Sequence, residues 1–162
     1  FSAYLYLKYV AEVRGLENIE ENVNNVLTDL QLQEIKNVPI ETLSKGYKRR
    51  VGLAQALIHD PKILILDDIL SQMDTDSILN FKDTFDSISK NRTVILISRE
   101  IHHLSMCKRF MFFSGPTLSQ FGPTLSVLNQ AGPAQDLMKK QLRVISPKFE
   151  QNYGTLVKSI VS

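Results

Sequence analysis

Two acidic residues, Asp67 and Asp68, directly follow four apolar ones at residues 63–66. Such a run predicts a buried strand of a parallel sheet, and α/β proteins place ligands at the C-terminal ends of those strands. One carboxylate there can hold Mg²⁺ through its water shell, because this ion keeps much of its hydration and takes few protein ligands. A second carboxylate beside it can orient or deprotonate an attacking water. A polar strand exit accounts for an Asp-Asp pair as well, but the four apolar residues before it favour a site.

A second constellation precedes the strand. Thr42-Leu43-Ser44-Lys45-Gly46 opens a helical pattern, and a helix start carries unpaired N–H groups and partial positive charge. Gly46 admits a ligand close to the backbone, and the Ser44 hydroxyl can bond a phosphate oxygen. Lys48, Arg49 and Arg50 fall in the first turns, where cations oppose the helix dipole; a docked phosphate would relieve them. A plain Ser N-cap with a solvated basic face explains the same residues, and taken alone the segment favours that alternative.

Two further segments carry polar groups at element ends. Ser71-Gln72-Met73-Asp74 follows the strand, with Asp74 placed to cap the next helix. Residues 93–97 form a β-branched strand that runs into Ser98-Arg99-Glu100. His102 and His103 read as an exposed helix start. Cys107 and residues 110–113 read as core.

The elements that position these groups follow from periodicity. Ala3, Leu7, Val10 and Ala11 mark a helix ending at Gly15, and Ile19, Val23, Val26, Leu27 and Leu30 line one face of a second. Tyr47, Val51, Ala54, Leu57 and Ile58 mark a third, which His59-Asp60-Pro61 breaks. Ile78, Phe81, Phe85 and Ile88 mark a fourth. Strand 63–66, this helix and strand 93–97 predict a right-handed βαβ unit. Residues 111–113, Ser114-Gly115-Pro116 and residues 117–121 predict a hairpin. Short helical patterns follow at 137–144 and 156–161, with Gly132-Pro133 and Ser146-Pro147 as punctuation.

Composition narrows the classes. With 162 residues, 43% hydrophobic and 22% charged, the chain can bury a real core. A net charge of +2 does not argue for nucleic acid. A single cysteine cannot form an internal disulfide, which suits a reducing compartment. No apolar run reaches the roughly 20 residues that span a bilayer, and the start has no secretory pattern. Phe1 already lies in a helical pattern, so an interior piece of a longer protein is expected.

Taken in order, these segments resemble the signature, Walker B strand, D-loop and switch segment of the ATP-binding subunit of an ABC transporter. The family's signature usually reads Leu-Ser-Gly-Gly-Gln, and variants with Lys third look like Leu43-Ser44-Lys45-Gly46-Tyr47. Ser71 to Asp74 resembles a D-loop, usually Ser-Gly-Leu-Asp. The helix Gly52-Leu53-Ala54-Gln55-Ala56-Leu57 is closest to the drug and polysaccharide exporter type. The likeness runs from Phe1 to about Gly122. It implies an α/β fold: a helical subdomain, then the C-terminal half of a RecA-like P-loop NTPase parallel sheet. The matching partition is 1–59 for the helical subdomain and signature, 60–122 for the RecA-like core, and 123–162 for an extension of unread role.

The resemblance further implies ATP with Mg²⁺, a head-to-tail dimer with a second nucleotide-binding subunit, a membrane permease subunit or domain as partner, and a peripheral place on the cytoplasmic face of the plasma (inner) membrane. Ser44, Lys45 and Gly46 would meet the partner's γ-phosphate, Asp67 would hold Mg²⁺, and Asp74 would bridge the two sites. Asp68 stands where the catalytic glutamate belongs, and Arg99 where the switch histidine belongs. Ile69-Leu70 replaces the usual Pro-Thr, and no G-x-x-x-x-G-K-[ST] occurs, so a C-terminal fragment is expected. An exporter ATPase and a binding-only subunit completing a partner's site both fit. A third option is an unrelated metal-dependent phosphohydrolase using Asp67 and Asp68.

Overall fold

The computed structural model describes residues 1–71, 75–100, 103 and 106–145, with the backbone alone at 75–80 and 142–145. The chain divides into two compact units, Phe1–Ile95 and Leu96–Ser162.

In the first unit, α1 (Ala3–Val13) starts at Ser2, whose Oγ accepts the Leu5 N–H at 3.3 Å. It stops where Gly15 turns left-handed at φ +65°, letting Gly15 and Leu16 N–H return to the carbonyls of Glu12 and Ala11. α2 (Ile19–Asp29) ends the same way, with Gln31 at φ +54° and Leu32 N–H bonded to Leu27 O at 2.7 Å. Ala3, Leu7 and Ala11 of α1 and Val23, Val26 and Leu27 of α2 are buried. Each buried Val or Leu contributes about 1.5–3 kcal/mol. The helical pattern read from the sequence is therefore largely the packing pattern, with Val10 and Ile19 half-buried at its margins. Two short 3₁₀ turns, Gln33–Ile35 and Ile40–Thr42, lead into α3 (Lys45–Leu57). Periodicity did not show these turns, because three residues are too few to carry a period.

β1 (Ile63–Asp67) and β2 (Thr93–Ile97) pair in parallel, joined through α4 (Thr75–Ser89). Thr93 N–H bonds to Lys62 O at 2.9 Å. Phe81, Phe85 and Ile88 carry the buried face of α4 as their spacing predicts, with the two rings 6.2 Å apart. β1 differs from the expected fully buried strand. Leu64 and Leu66 are buried, but Ile63 and Ile65 are each 62% exposed. A strand's side chains alternate between faces, and only one face of β1 is covered among the described residues.

The second unit centres on an antiparallel hairpin, β3 (Arg109–Ser114) and β4 (Thr117–Pro123). Gly115 turns it at φ +61°. A register shift follows Phe112, which faces Gln120, while Phe113 faces Leu118. Phe110, with Phe112 and Leu96, packs on Val127 of α5 (Thr124–Asn129) and Ala134 of α6 (Pro133–Ile145). Gln120 Oε1 accepts the Ala134 N–H at 2.8 Å, so the hairpin caps the start of α6. The amide fits because residue 132 is glycine: a Cβ there would lie 2.7 Å from Gln120 Nε2. The pattern at 156–161 lies outside the described residues.

Candidate functional site

The start of α3 is built as a cap that remains open. Ser44 has extended backbone, and its Oγ accepts the Tyr47 N–H at 3.3 Å. An accepting hydroxyl keeps its own proton to donate, so capping and anion binding are compatible at Ser44. Helix geometry gives the Lys45 and Gly46 N–H groups no intrahelical acceptor. Lys45 is exposed, and a Cβ on Gly46 would meet only Ser44 Oγ, at 3.9 Å.

The basic run behind this turn is accounted for within the chain. Lys48 Nζ donates to Glu41 O at 2.8 Å, and the Arg50 guanidinium lies 5.9 Å from the Tyr47 ring centroid. Arg49 Nη1 donates to Ile69 O at 2.8 Å and to Ser71 O, and Nη2 reaches Ser71 Oγ at 3.5 Å. The expected conflict between these cations and the helix dipole is thus met in part by carbonyl oxygens and an aromatic face.

β1 delivers Asp67 to its end, exposed, and Asp68 just beyond, half-buried. Asp68 is left-handed, with φ +51°. Short polar side chains tolerate that region better than longer ones do. The chain then turns: Ser71 N–H and Ser71 Oγ both donate to Asp68 O, at 3.2 and 2.9 Å. Arg49 fastens this turn to α3, so the first unit brings together the helix carrying Ser44, Lys45 and Gly46 and the loop following Asp67 and Asp68. The sequence reading missed this role of Arg49. The available signal was helical spacing, because Arg49 lies four residues before buried Leu53 and eight before buried Leu57.

Among the described residues no group of three or more His, Cys, Asp or Glu could hold a metal. Two adjacent carboxylates at a strand end still suit Mg²⁺, which is typically bound by one or two carboxylates, substrate phosphates and water. Asp67 would be its holder, and the ion would supply charge neutralisation at a phosphate.

Arg99 lies in the second unit, exposed, and its carbonyl accepts from Gln141 Nε2 at 2.9 Å. His103 corrects the sequence reading: it is 2% exposed rather than part of an exposed helix start. Its Nδ1 lies 3.1 Å from Ser98 Oγ and its Nε2 3.6 Å from a Glu100 carboxylate oxygen. A chain that folds back within five residues gives local polar partners to an imidazole, which then buries at little cost. Cys107 is half-buried rather than core, with its thiol pushed up to about 11 by burial. Asp74 and His102 lie outside the described residues.

Known proteins resemble this chain in sequence and in fold. The ABC transporter family model matches residues 5–71. The mitochondrial potassium channel ATP-binding subunit of Xenopus tropicalis is 36% identical over 100 residues, covering 62% of this chain and 14% of that protein. The energy-coupling factor transporter ATP-binding protein EcfA1 of Leuconostoc mesenteroides is 33% identical over 106 residues, covering 59% and 39%. The chain thus spans well under half the length of these relatives. Among solved structures, cbiO1 from Clostridium perfringens, part of the ABC transporter complex cbiONQ, superposes with a TM-score of 0.74 at 22% identity, covering 98% of this chain and 62% of that one. A bacterial Atm1-family ABC exporter with ATP bound gives 0.72 at 18%, covering 86% and 26%. These likenesses establish the fold, and the sequence relatives supply the kinship. In sequence and fold this chain is thus similar to the ATP-binding domains of the ABC transporter family.

Proposed function

We propose that this chain forms the signature-to-switch portion of an ATP-binding subunit that couples ATP binding and hydrolysis to export through a membrane permease. The observation that carries the reading is the fastening of an open helix start to an acidic strand end within one unit. In this reading Ser44, Lys45 and Gly46 receive the γ-phosphate held by a second nucleotide-binding subunit, in a head-to-tail dimer. Asp67 holds Mg²⁺, Asp68 takes the proton of the attacking water, Arg99 occupies the switch position, and Asp74 bridges the sites. Residues 1–59, 60–122 and 123–162 serve as signature-bearing helical part, RecA-like core and extension. The subunit works peripherally on the cytoplasmic face of the membrane.

A second reading, binding without turnover, is favoured by Asp68 itself. Its carboxylate is one methylene shorter than glutamate and sits on a left-handed backbone. A misplacement of about 1 Å costs on the order of 100-fold in rate.

The sequence holds no P-loop motif. The chain by itself is therefore expected not to bind a fluorescent ATP analogue at micromolar concentration. The subunit carrying it is expected to bind ATP and dimerise. Hydrolysis that falls on the order of 100-fold in Asp68→Asn supports the ATPase; ATP-dependent dimerisation without turnover in the parent supports the binding-only subunit. Failure of the parent subunit to bind ATP overturns both.

A further inference from the structure

We propose that Arg49 is a positioning residue that makes the start of α3 and the turn at residues 68–71 move as one body, so that an anion seated at Ser44 fixes the backbone of Asp68. This deepens the ATP-binding reading and rests on it.

Three observations carry the inference. First, the guanidinium reaches three acceptors on one short turn: the carbonyls of Ile69 and Ser71 and the Ser71 hydroxyl. A planar fork of donors can serve several acceptors at once, whereas an ammonium behaves as a point charge. Second, the turn closes on Asp68, whose carbonyl accepts from both Ser71 N–H and Ser71 Oγ. Any pull on Ser71 is transmitted directly to the residue that follows the Asp67 carboxylate. Third, Asp68 occupies the left-handed region, a state that persists only where surrounding contacts over-determine it. Arg49 supplies such contacts from a different element.

The position of Arg49 also specifies what it senses. It sits one turn inside α3, where the helix dipole disfavours a cation. Neutral carbonyls offset that only in part. An anion at the N-terminus of α3 lowers the local potential and makes the guanidinium less costly to hold there. Nucleotide engagement and the clamp should therefore reinforce one another.

The test compares wild type with Arg49→Met, which keeps the apolar stem, and Arg49→Lys, which keeps the charge. In the chain as given, amide exchange at Ser71 should quicken about tenfold in Arg49→Met, the size expected for losing charge-assisted hydrogen bonds. Unchanged exchange overturns the clamp, whether or not ATP binds. In the ATP-hydrolysing assembly, kcat should fall on the order of 100-fold in Arg49→Met, with KM within about threefold and partial recovery in Arg49→Lys. A raised KM at constant kcat, or neither changed, overturns the positioning role. A wild-type assembly that binds no ATP counts against the ATP-binding reading and leaves the exchange result to decide the clamp.

Discussion

Gly46→Asp should raise the stability of the fold while abolishing nucleotide-driven association. Residue 46 is the second residue of α3, after Ser44 as cap. Nothing but Ser44 Oγ, at 3.9 Å, lies near a Cβ there, so the new side chain enters open space. Replacing glycine in a helix recovers about 0.3 kcal/mol of propensity, and a carboxylate in the first turn gains about 0.3–1 kcal/mol from the dipole. The sum, about 0.6–1.3 kcal/mol, raises Tm by roughly 1–5 °C for a chain of this size. The same carboxylate meets an incoming γ-phosphate. Two unit negative charges about 5 Å apart at an effective dielectric near 20 repel by about 3 kcal/mol, more than about 100-fold in affinity. Thermal melts and ATP-dependent dimerisation, measured on the same preparation, therefore move in opposite directions. Dimerisation unchanged in a folded Gly46→Asp variant would refute the signature assignment.

Other outcomes follow from single residues. Gly15→Ala should cost about 1 kcal/mol in denaturant titrations, because the site at φ +65° is open and only backbone strain is added. At Asp68, φ +51° predicts that Asp68→Gly leaves stability within about 1 kcal/mol of wild type or raises it, whereas Asp68→Glu lowers it by about 1 kcal/mol. Paired with Arg99→His in the full subunit, Asp68→Glu should nonetheless raise kcat by restoring reach. For Cys107, burial holds the native thiol protonated to about 11 against 9.0 unperturbed. Its stabilising contribution is complete below about 9 and lost as pH rises through about 11. Alkylation by iodoacetamide should accordingly be slow at neutral pH and quicken towards pH 11.

Long, one-sided periodicities were legible in the sequence. α1, α2 and α3 bury most of the residues their spacing selects, with Val10, Ile19 and Tyr47 half-buried, and α4 buries Phe81, Phe85 and Ile88, because each packs one stripe against a neighbour. The hairpin was legible because Ser114-Gly115-Pro116 marks its turn. β1 was misjudged as buried on both faces: an apolar run states what a strand tolerates, and neighbours decide which face is covered. His103 was misjudged because its partners, Ser98 and Glu100, become neighbours only through a local turn that no period announces. The site was legible in part. Residue types indicated the open start of α3 and the carboxylates of β1. Their fastening through Arg49 depends on one side chain crossing between elements, and charge counting treats that arginine as surface.

The capping of α6 by Gln120 has a kinetic consequence. A helix must form its first turn before it can propagate, and that nucleus is unfavourable by itself. Here the acceptor for the Ala134 N–H comes from β4, only 14 residues upstream. Closing so short a loop is cheap and fast. The hairpin can thus form first and act as a template on which α6 nucleates, so the second unit acquires order from β4 outward. Side-chain changes at Gln120 would then register mainly in the rate of folding, and changes along the far end of α6 mainly in the rate of unfolding.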